Sequence, residues 1–187
     1  MTVFTPDLRA RAEELVARYP TSRSALLPLL YLVQSRDGYV TREGMRECGE
    51  ILGLTTAEVE AVATFYTMFK KSPSGRWLLS VCTNVSCVVV GAREVFDRAR
   101  EVLGPGSLDI TEDGTFTLEE VECLGACDAA PVVQVNYCNY ARVSSDGVAE
   151  LIERLRQEDP PDPMAGPPPA PHDDTSRILA GLGDDRG

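Results

Sequence analysis

Apolar residues recur at helical spacing through the first third of the chain. Leu8, Ala12, Leu15 and Val16 share one face of a predicted helix that follows Pro6-Asp7 and ends near Tyr19-Pro20. A second helix is predicted after a cap at Thr21 or Ser22. Leu26, Leu27, Leu29, Leu30 and Val33 give it a broad apolar face, and Pro28 fits its first turns, where no amide is needed. Asp37-Gly38 ends it. Thr41 opens a third helix through Met45 and Ile51 to Leu52, stopped by Gly53, and Thr55-Thr56-Ala57-Glu58 has the spacing of a capping box for a fourth. Residues 1–69 therefore read as a small helical bundle. Within it, the Phe65, Tyr66, Met68, Phe69 run is expected to be partly core, because aromatics near a hinge are usually buried.

The periodicity changes at about Lys70. Lys71-Ser72-Pro73-Ser74-Gly75 is turn chemistry suited to a hinge, and Trp77-Leu78-Leu79-Ser80-Val81 reads as a buried strand that enters Cys82. One helix is predicted from about Val88 through Ala92, Val95, Phe96 and Ala99 to Val102-Leu103, closed by Gly104-Pro105-Gly106. Strands are predicted over Phe116 to Glu122, delivering Cys123, over Val132 to Val135 and, as a short third, over Ala141 to Val143, with a last helix from Ser145 to Arg156. The order is β-α-β-β-α over residues 70–157, and the fold class is α+β. From residue 158 the chain turns Pro-rich and acidic, holding seven of the 13 prolines, and is expected to be a disordered tail. His172, the only histidine, falls there and is read as solvated; Thr175 to Leu182 is read as frayed.

Composition narrows the function. A content of 43% hydrophobic residues supports a real core, yet no run approaches the ~20 apolar residues of a membrane-spanning helix. The first residues lack the pattern of a secretory signal, so a cytoplasmic location is expected. A formal charge of -11 argues against nucleic acid, whose binding depends on neutralising phosphates. Six cysteines without an export signal point to ligands, redox groups or core residues rather than disulfides.

Two cysteine pairs carry the candidate chemistry. Cys82-x4-Cys87 and Cys123-x3-Cys127 each follow a predicted strand, so four thiolates can converge from two rigidly held loops. Such a sulfur site suits zinc or an iron-sulfur cluster, and spacing alone leaves both open. Two pairs suit a two-iron unit at least as well as a single ion, and Gly125, with Ala126, Ala129 and Ala130, would let the backbone approach inorganic sulfide closely. Neither pair has the Cys-x-x-Cys spacing of a dithiol enzyme, and no glycine-rich phosphate cradle follows a strand. Cys48 is read as a packed core residue, and Cys138, in Asn136-Tyr137-Cys138-Asn139, as a hairpin-turn neighbour of the site.

The chain resembles the small iron-sulfur (NuoE) subunit of the NADH-dehydrogenase module of respiratory complex I. The resemblance rests on Val62-Ala63-Thr64-Phe65-Tyr66-Thr67-Met68-Phe69, on Cys82-x4-Cys87 followed by Gly91-Ala92, and on Glu122-Cys123-Leu124-Gly125-Ala126-Cys127 leading to Ala130-Pro131 and Asn136. It implies a helical bundle joined to a thioredoxin-like α/β domain, with Cys82, Cys87, Cys123 and Cys127 binding one 2Fe-2S cluster. It also implies a partner flavoprotein subunit holding FMN and the NADH site, other peripheral-arm subunits, and a position on the cytoplasmic face of the membrane reached through the complex. The chain would then be a non-catalytic, electron-carrying subunit of NADH-quinone oxidoreductase, with no NADH or quinone site of its own. The Thr83-Asn84-Val85-Ser86 loop departs from the Thr- and Pro-containing loop of relatives. Glu122 and Asp128, flanking the second pair, predict a low cluster potential. Two alternatives stay open: the equivalent subunit of an NAD-linked formate dehydrogenase or hydrogenase, and a zinc-stapled interaction module that carries no electrons.

Overall fold

A computed structural model of the chain describes residues 3–159. Their contacts fall into two compact units, one ending at Pro73 and the other beginning at Ser74. Of the tail expected over 158–187, residues 160–187, with His172 and Thr175 to Leu182, lie outside the described residues.

The first unit contains α1 (Pro6–Val16), a short 3-10 turn over Ser22–Ala25, α2 (Leu26–Asp37), α3 (Arg42–Leu52) and α4 (Thr56–Phe65). Local side chains set the ends. The Thr41 hydroxyl accepts from the Gly44 amide at the start of α3, and Thr55 and Glu58 form a reciprocal capping box at the start of α4. Gly38 and Gly53 close α2 and α3 in the left-handed region. α2 supplies the fully buried Leu29, Leu30 and Val33, joined in the core by Ala12, Cys48 and Val59. Polar groups inside this unit are satisfied. The buried Glu47 carboxylate accepts from the Val3 and Phe4 amides, at 2.8 Å each. Gln34 donates to the Met68 carbonyl at 3.0 Å and accepts from the Lys70 amide at 2.7 Å, tying the segment after α4 to α2.

The aromatic run after α4 divides rather than burying together. Phe69 is 1% exposed and belongs to the core, whereas Phe65 is 77% exposed and Tyr66 and Met68 are 40% exposed. Phe65 and Tyr66 sit at and just beyond the end of α4, so the chain leaves helical geometry before Phe69 can turn inward.

The second unit is built on one mixed sheet. Its strands are β1 (Trp77–Cys82), β2 (Phe116–Val121), β3 (Val133–Val135) and β4 (Cys138–Tyr140), and their spatial order is β2-β1-β3-β4. β1 and β2 run parallel from Trp77 opposite Phe116 to Cys82 opposite Val121, while β1–β3 and β3–β4 are antiparallel. Parallel neighbours need a crossover, supplied here by α5 (Val85–Val89) and α6 (Ala92–Leu103); α7 (Ser145–Arg156) ends the fold. Val95, Ala99 and Leu103 of α6 and Val148, Leu151, Ile152 and Leu155 of α7 pack with Trp77, Leu79, Val81, Phe116, Leu118, Val133 and Val135 of the strands. The period-two alternation of the strands against the helical spacing of α6 and α7 makes these two faces meet. The Trp77 indole, buried with them, donates to the Leu155 carbonyl at 2.9 Å.

Two details differ from the pattern read along the chain. The single helix predicted from Val88 is two helices, because Gly91 has φ of +100° and breaks the ladder between α5 and α6. The short strand predicted at 141–143 lies instead at 138–140, and with it the unit has one strand more than the order β-α-β-β-α. Cys138 is accordingly the first residue of β4, opposite Val135, and not part of the turn. The turn is Asn136-Tyr137, both at positive φ, +43° and +71°, as a two-residue hairpin with matching twist requires. No helix among the described residues is long and apolar enough to cross a membrane.

Candidate metal centre

Parallel pairing brings the two cysteine loops to one end of the sheet. Cys82 is the last residue of β1 and lies opposite Val121, the last residue of β2, two positions before Cys123. The join is reinforced by the Thr83 amide, which donates to the Val121 carbonyl at 2.9 Å, and by the Cys82 sulfur, 3.8 Å from the Glu122 carbonyl. From the other side, the Cys82 amide donates to the Val132 carbonyl at 3.1 Å, which holds the segment after Cys127 against the same strand end.

The pairs differ in exposure. Cys82 and Cys87 are 2% and 1% exposed and pack with Ala92, Ala129 and Val132, with Leu124, Ala126, Ala130 and Ala141 around them. Cys123 and Cys127 are exposed. Cys87 is carried inward by α5, a one-and-a-half-turn helix whose first amide, on Val85, donates to the Asn84 side chain at 2.8 Å. The apolar pattern starts a helix only at Val88, although Asn84 is a recognisable cap for this earlier one.

Burial pushes the Cys87 thiol up to about 11; the adjacent Cys82 thiol adds to this, Cys127 adds a smaller push, and the Val132 amide opposes it. Cys82 and Cys127 are thus both within electrostatic reach of Cys87. Cys123 stands at the outer edge, where the Gly125 amide donates to its sulfur at 3.3 Å. Gly125 has φ of +73° and open space where a Cβ would be, which lets that amide turn back on the sulfur. Among the described residues, no three His, Cys, Asp or Glu side chains are grouped closely enough to grip one ion.

As a donor set, the four thiols could hold a 2Fe-2S group: they are soft sulfur donors in two pairs, lined by small apolar side chains, with an amide already aimed at one sulfur. Cys48 and Cys138 stand apart from this arrangement. Cys48 is fully buried in the first unit, with its thiol pushed up to about 12 by burial. Cys138 is a half-buried strand residue.

Residues 12–156 match the family described as thioredoxin-like 2Fe-2S ferredoxin. The E chain of the NADH-quinone oxidoreductase of Mycobacterium tuberculosis is 49% identical over 187 residues, covering 98% of this chain and 74% of the relative. Its counterpart in Thermus thermophilus, NADH-quinone oxidoreductase subunit 2, is 42% identical over 157 residues, covering 83% of this chain and 82% of its own. Among solved structures, an NAD+-reducing NiFe hydrogenase in the H2-reduced state matches with a TM-score of 0.64 at 22% identity, over 77% of this chain and only 24% of the hydrogenase chain, a likeness of fold. The sheet, the paired cysteine loops and these relatives agree that the chain belongs to the thioredoxin-like 2Fe-2S ferredoxin family, among the NuoE-type chains of NADH-quinone oxidoreductase.

Proposed function

We propose that Cys82, Cys87, Cys123 and Cys127 together hold one 2Fe-2S cluster, and that the chain exchanges single electrons between it and FMN on a partner flavoprotein subunit that also binds NADH. The chain is the electron-transfer subunit of this module of NADH-quinone oxidoreductase. It supplies no acid, base or nucleophile and no NADH or quinone site. It sits in the peripheral arm, on the cytoplasmic face of the membrane, held there by its partners.

The observation that carries this reading is the juxtaposition of both cysteine loops at the ends of two parallel, hydrogen-bonded strands. When bound, the cluster supplies a one-electron redox centre. The chain's own residues do the rest. Ala92, Ala129 and Val132 keep water from the inner pair, and the Gly125 and Val132 amides face sulfur, where they stabilise negative charge. Glu122 and Asp128 are exposed beside the outer pair, so an added electron meets like charge, which favours a low potential.

Anaerobic purification of the full chain tests the proposal. The expected product is brown, with about two irons and two labile sulfides per chain and an EPR signal on reduction. Cys82→Ser/Cys87→Ser and Cys123→Ser/Cys127→Ser variants should each lose iron, and Cys138→Ser should keep it. A colourless protein with one zinc, or serine pairs that leave iron content unchanged, would refute it.

A further inference from the structure

A cleft of about 630 Å³ in the second unit is lined by the end of β4, the connection that follows it, and α7. Tyr140, Val143 and Leu151 give it an apolar lining, and Arg142, Arg154 and Glu150 bring charge. Two cations against one acid set it apart in a chain whose formal charge is -11.

The two arginines are in different states. Arg154 lies over the Tyr140 ring, 5.8 Å from its centroid, and its Nε is 3.7 Å from the Glu158 carboxylate. Arg142 is exposed, and among the described residues no carboxylate pairs with it, neither Glu150 in the same cleft nor Asp146 in the first turn of α7. Its backbone is nonetheless fixed. The Arg142 amide donates to the Ala129 carbonyl at 2.8 Å and the Val143 amide to the Pro131 carbonyl at 3.0 Å. A guanidinium held in place without a partner attracts carboxylates.

The chain leaves α7 as an acidic strand of its own. Glu158 turns back onto Arg154, and the Asp159 carboxylate meets Arg76 at 3.1 Å, just before β1. Residues 160–187 add Asp162, Asp173, Asp174, Asp184 and Asp185 against Arg177 and Arg186. Arg142 stands at the other end of α7, which has 12 residues and is therefore ~18 Å long. Asp162, three positions past Asp159, reaches only ~9 Å at the ~3.1 Å per residue of Pro-rich chain, whereas Asp173, 14 positions past it, reaches up to ~43 Å. Asp173-Asp174 is thus the first acidic group long enough in reach, and the shorter loop costs less entropy to close than one ending at Asp184.

We infer that the Asp173-Asp174 doublet of this chain folds back along α7 and pairs with Arg142, with the Pro-rich stretch before it seated in the cleft over Tyr140. Prolines suit such a groove, because they lose little freedom on docking and pack on aromatic rings. The contact can be weak and still form, since a tethered group is held at an effective concentration on the order of mM.

The test uses the full chain carrying Arg142→Lys, which keeps the charge and offers a carbodiimide an amine to couple to whichever carboxylate pairs with it. Lys70 and Lys71, the only lysines of the parent sequence, are internal controls. An equal mixture of 15N-labelled and unlabelled chains separates coupling within one chain from coupling between copies in the mass spectrum. The expected product joins position 142 to Asp173 or Asp174 of the same chain, exceeds coupling of Lys70 or Lys71 to those aspartates, and falls about tenfold at ~1 M salt, where the Debye length is ~3 Å. In the parent chain, amide exchange over residues 172–176 should be slower than in Arg142→Glu. Coupling of position 142 only to Glu150, Asp146, Asp184 or Asp185 overturns the inference, as does equal amide exchange in the parent and Arg142→Glu. Mixed-label products alone overturn it in favour of a contact between two copies.

Discussion

Asn136 serves the sheet as a substitute strand residue. It sits at φ of +43° in the β3–β4 turn, and its side chain completes hydrogen bonds that backbone would otherwise make to β1. Its Oδ1 accepts from the Leu78 amide at 2.8 Å and its Nδ2 donates to the Arg76 carbonyl at 3.1 Å, while its own amide donates to the Leu78 carbonyl at 3.0 Å. Asn136→Ala removes both side-chain bonds and places a Cβ without compensating polarity in the left-handed region. The two bonds are worth about 0.5–1.5 kcal/mol each. The left-handed penalty for alanine over asparagine adds roughly 1 kcal/mol, so the total loss is about 2–4 kcal/mol. Asn136→Gly loses the same bonds, about 1–3 kcal/mol, without that penalty; glycine's extra unfolded-state entropy adds roughly 0.5 kcal/mol, for a total of about 1.5–3.5 kcal/mol, about 0.5 kcal/mol less than alanine. Trp77, the sole tryptophan, is buried in the core of the same unit, so its fluorescence during urea and thermal unfolding of the full chain reports the affected region. At roughly 4–8 °C per kcal/mol for a domain of this size, Asn136→Ala should lower Tm by about 10 °C or more. Equal destabilisation by alanine and glycine would refute the conformational part of this account, and a loss under about 0.5 kcal/mol in both would refute the hydrogen-bond part.

Other outcomes follow from the titrating groups. Hydrogen bonds from the Thr55 amide and hydroxyl and from Arg23 hold the Glu58 carboxyl down at about 2, and bonds from Thr111 and Thr115 hold Asp113 at about 2. Because both are lowered in the folded state, the stability they lend is present above about 4.5 and is lost as pH falls toward about 2; Glu58→Gln and Asp113→Asn should each flatten the acid limb of a stability-against-pH curve, as read by urea titration. Cys48, fully buried and pushed up to about 12, should resist iodoacetamide at mildly alkaline pH in the folded chain and react only on unfolding, as mass spectrometry of its peptide would show.

Helix boundaries are the most legible part of this fold, because capping is local chemistry. Thr41, Thr55 with Glu58, Gly38 and Gly53 act within a few residues of where they stand, so spacing alone places the starts of α3 and α4 and the ends of α2 and α3. The start of α2 is not so placed, because the cap expected at Thr21 or Ser22 opens a 3-10 turn over Ser22–Ala25, neither hydroxyl caps it, and the α-helix begins only at Leu26. The strands before Cys82 and Cys123 are legible from alternation and apolar runs, but their parallel pairing is not, since it joins residues 39 apart, such as Trp77 and Phe116. Gly91 breaks a helix in an otherwise continuous apolar pattern, and a lone glycine there reads as merely tolerated. The three-residue β4 is too short to show a period, and its turn depends on Tyr137 at positive φ, a conformation tyrosine does not announce. The outward face of α5 is hidden from the sequence for a similar reason. A five-residue helix gives little periodicity, so the sequence leaves Val85 in the loop between Cys82 and Cys87 and starts a helix only at Val88.

The parallel register of β1 and β2 separates two lengths that are easily confounded. Cys82 and Val121 lie 39 positions apart along the backbone, but across the sheet they are neighbouring strand ends, ~4.8 Å from each other. The gap between the thiol-bearing loops is set by that interstrand spacing and not by how much polypeptide intervenes. Insertions or deletions between Gly104 and Thr115 could therefore accumulate over evolution while the geometry demanded of the sulfur atoms stayed fixed, whereas a slip of a single residue in the pairing would displace them at once.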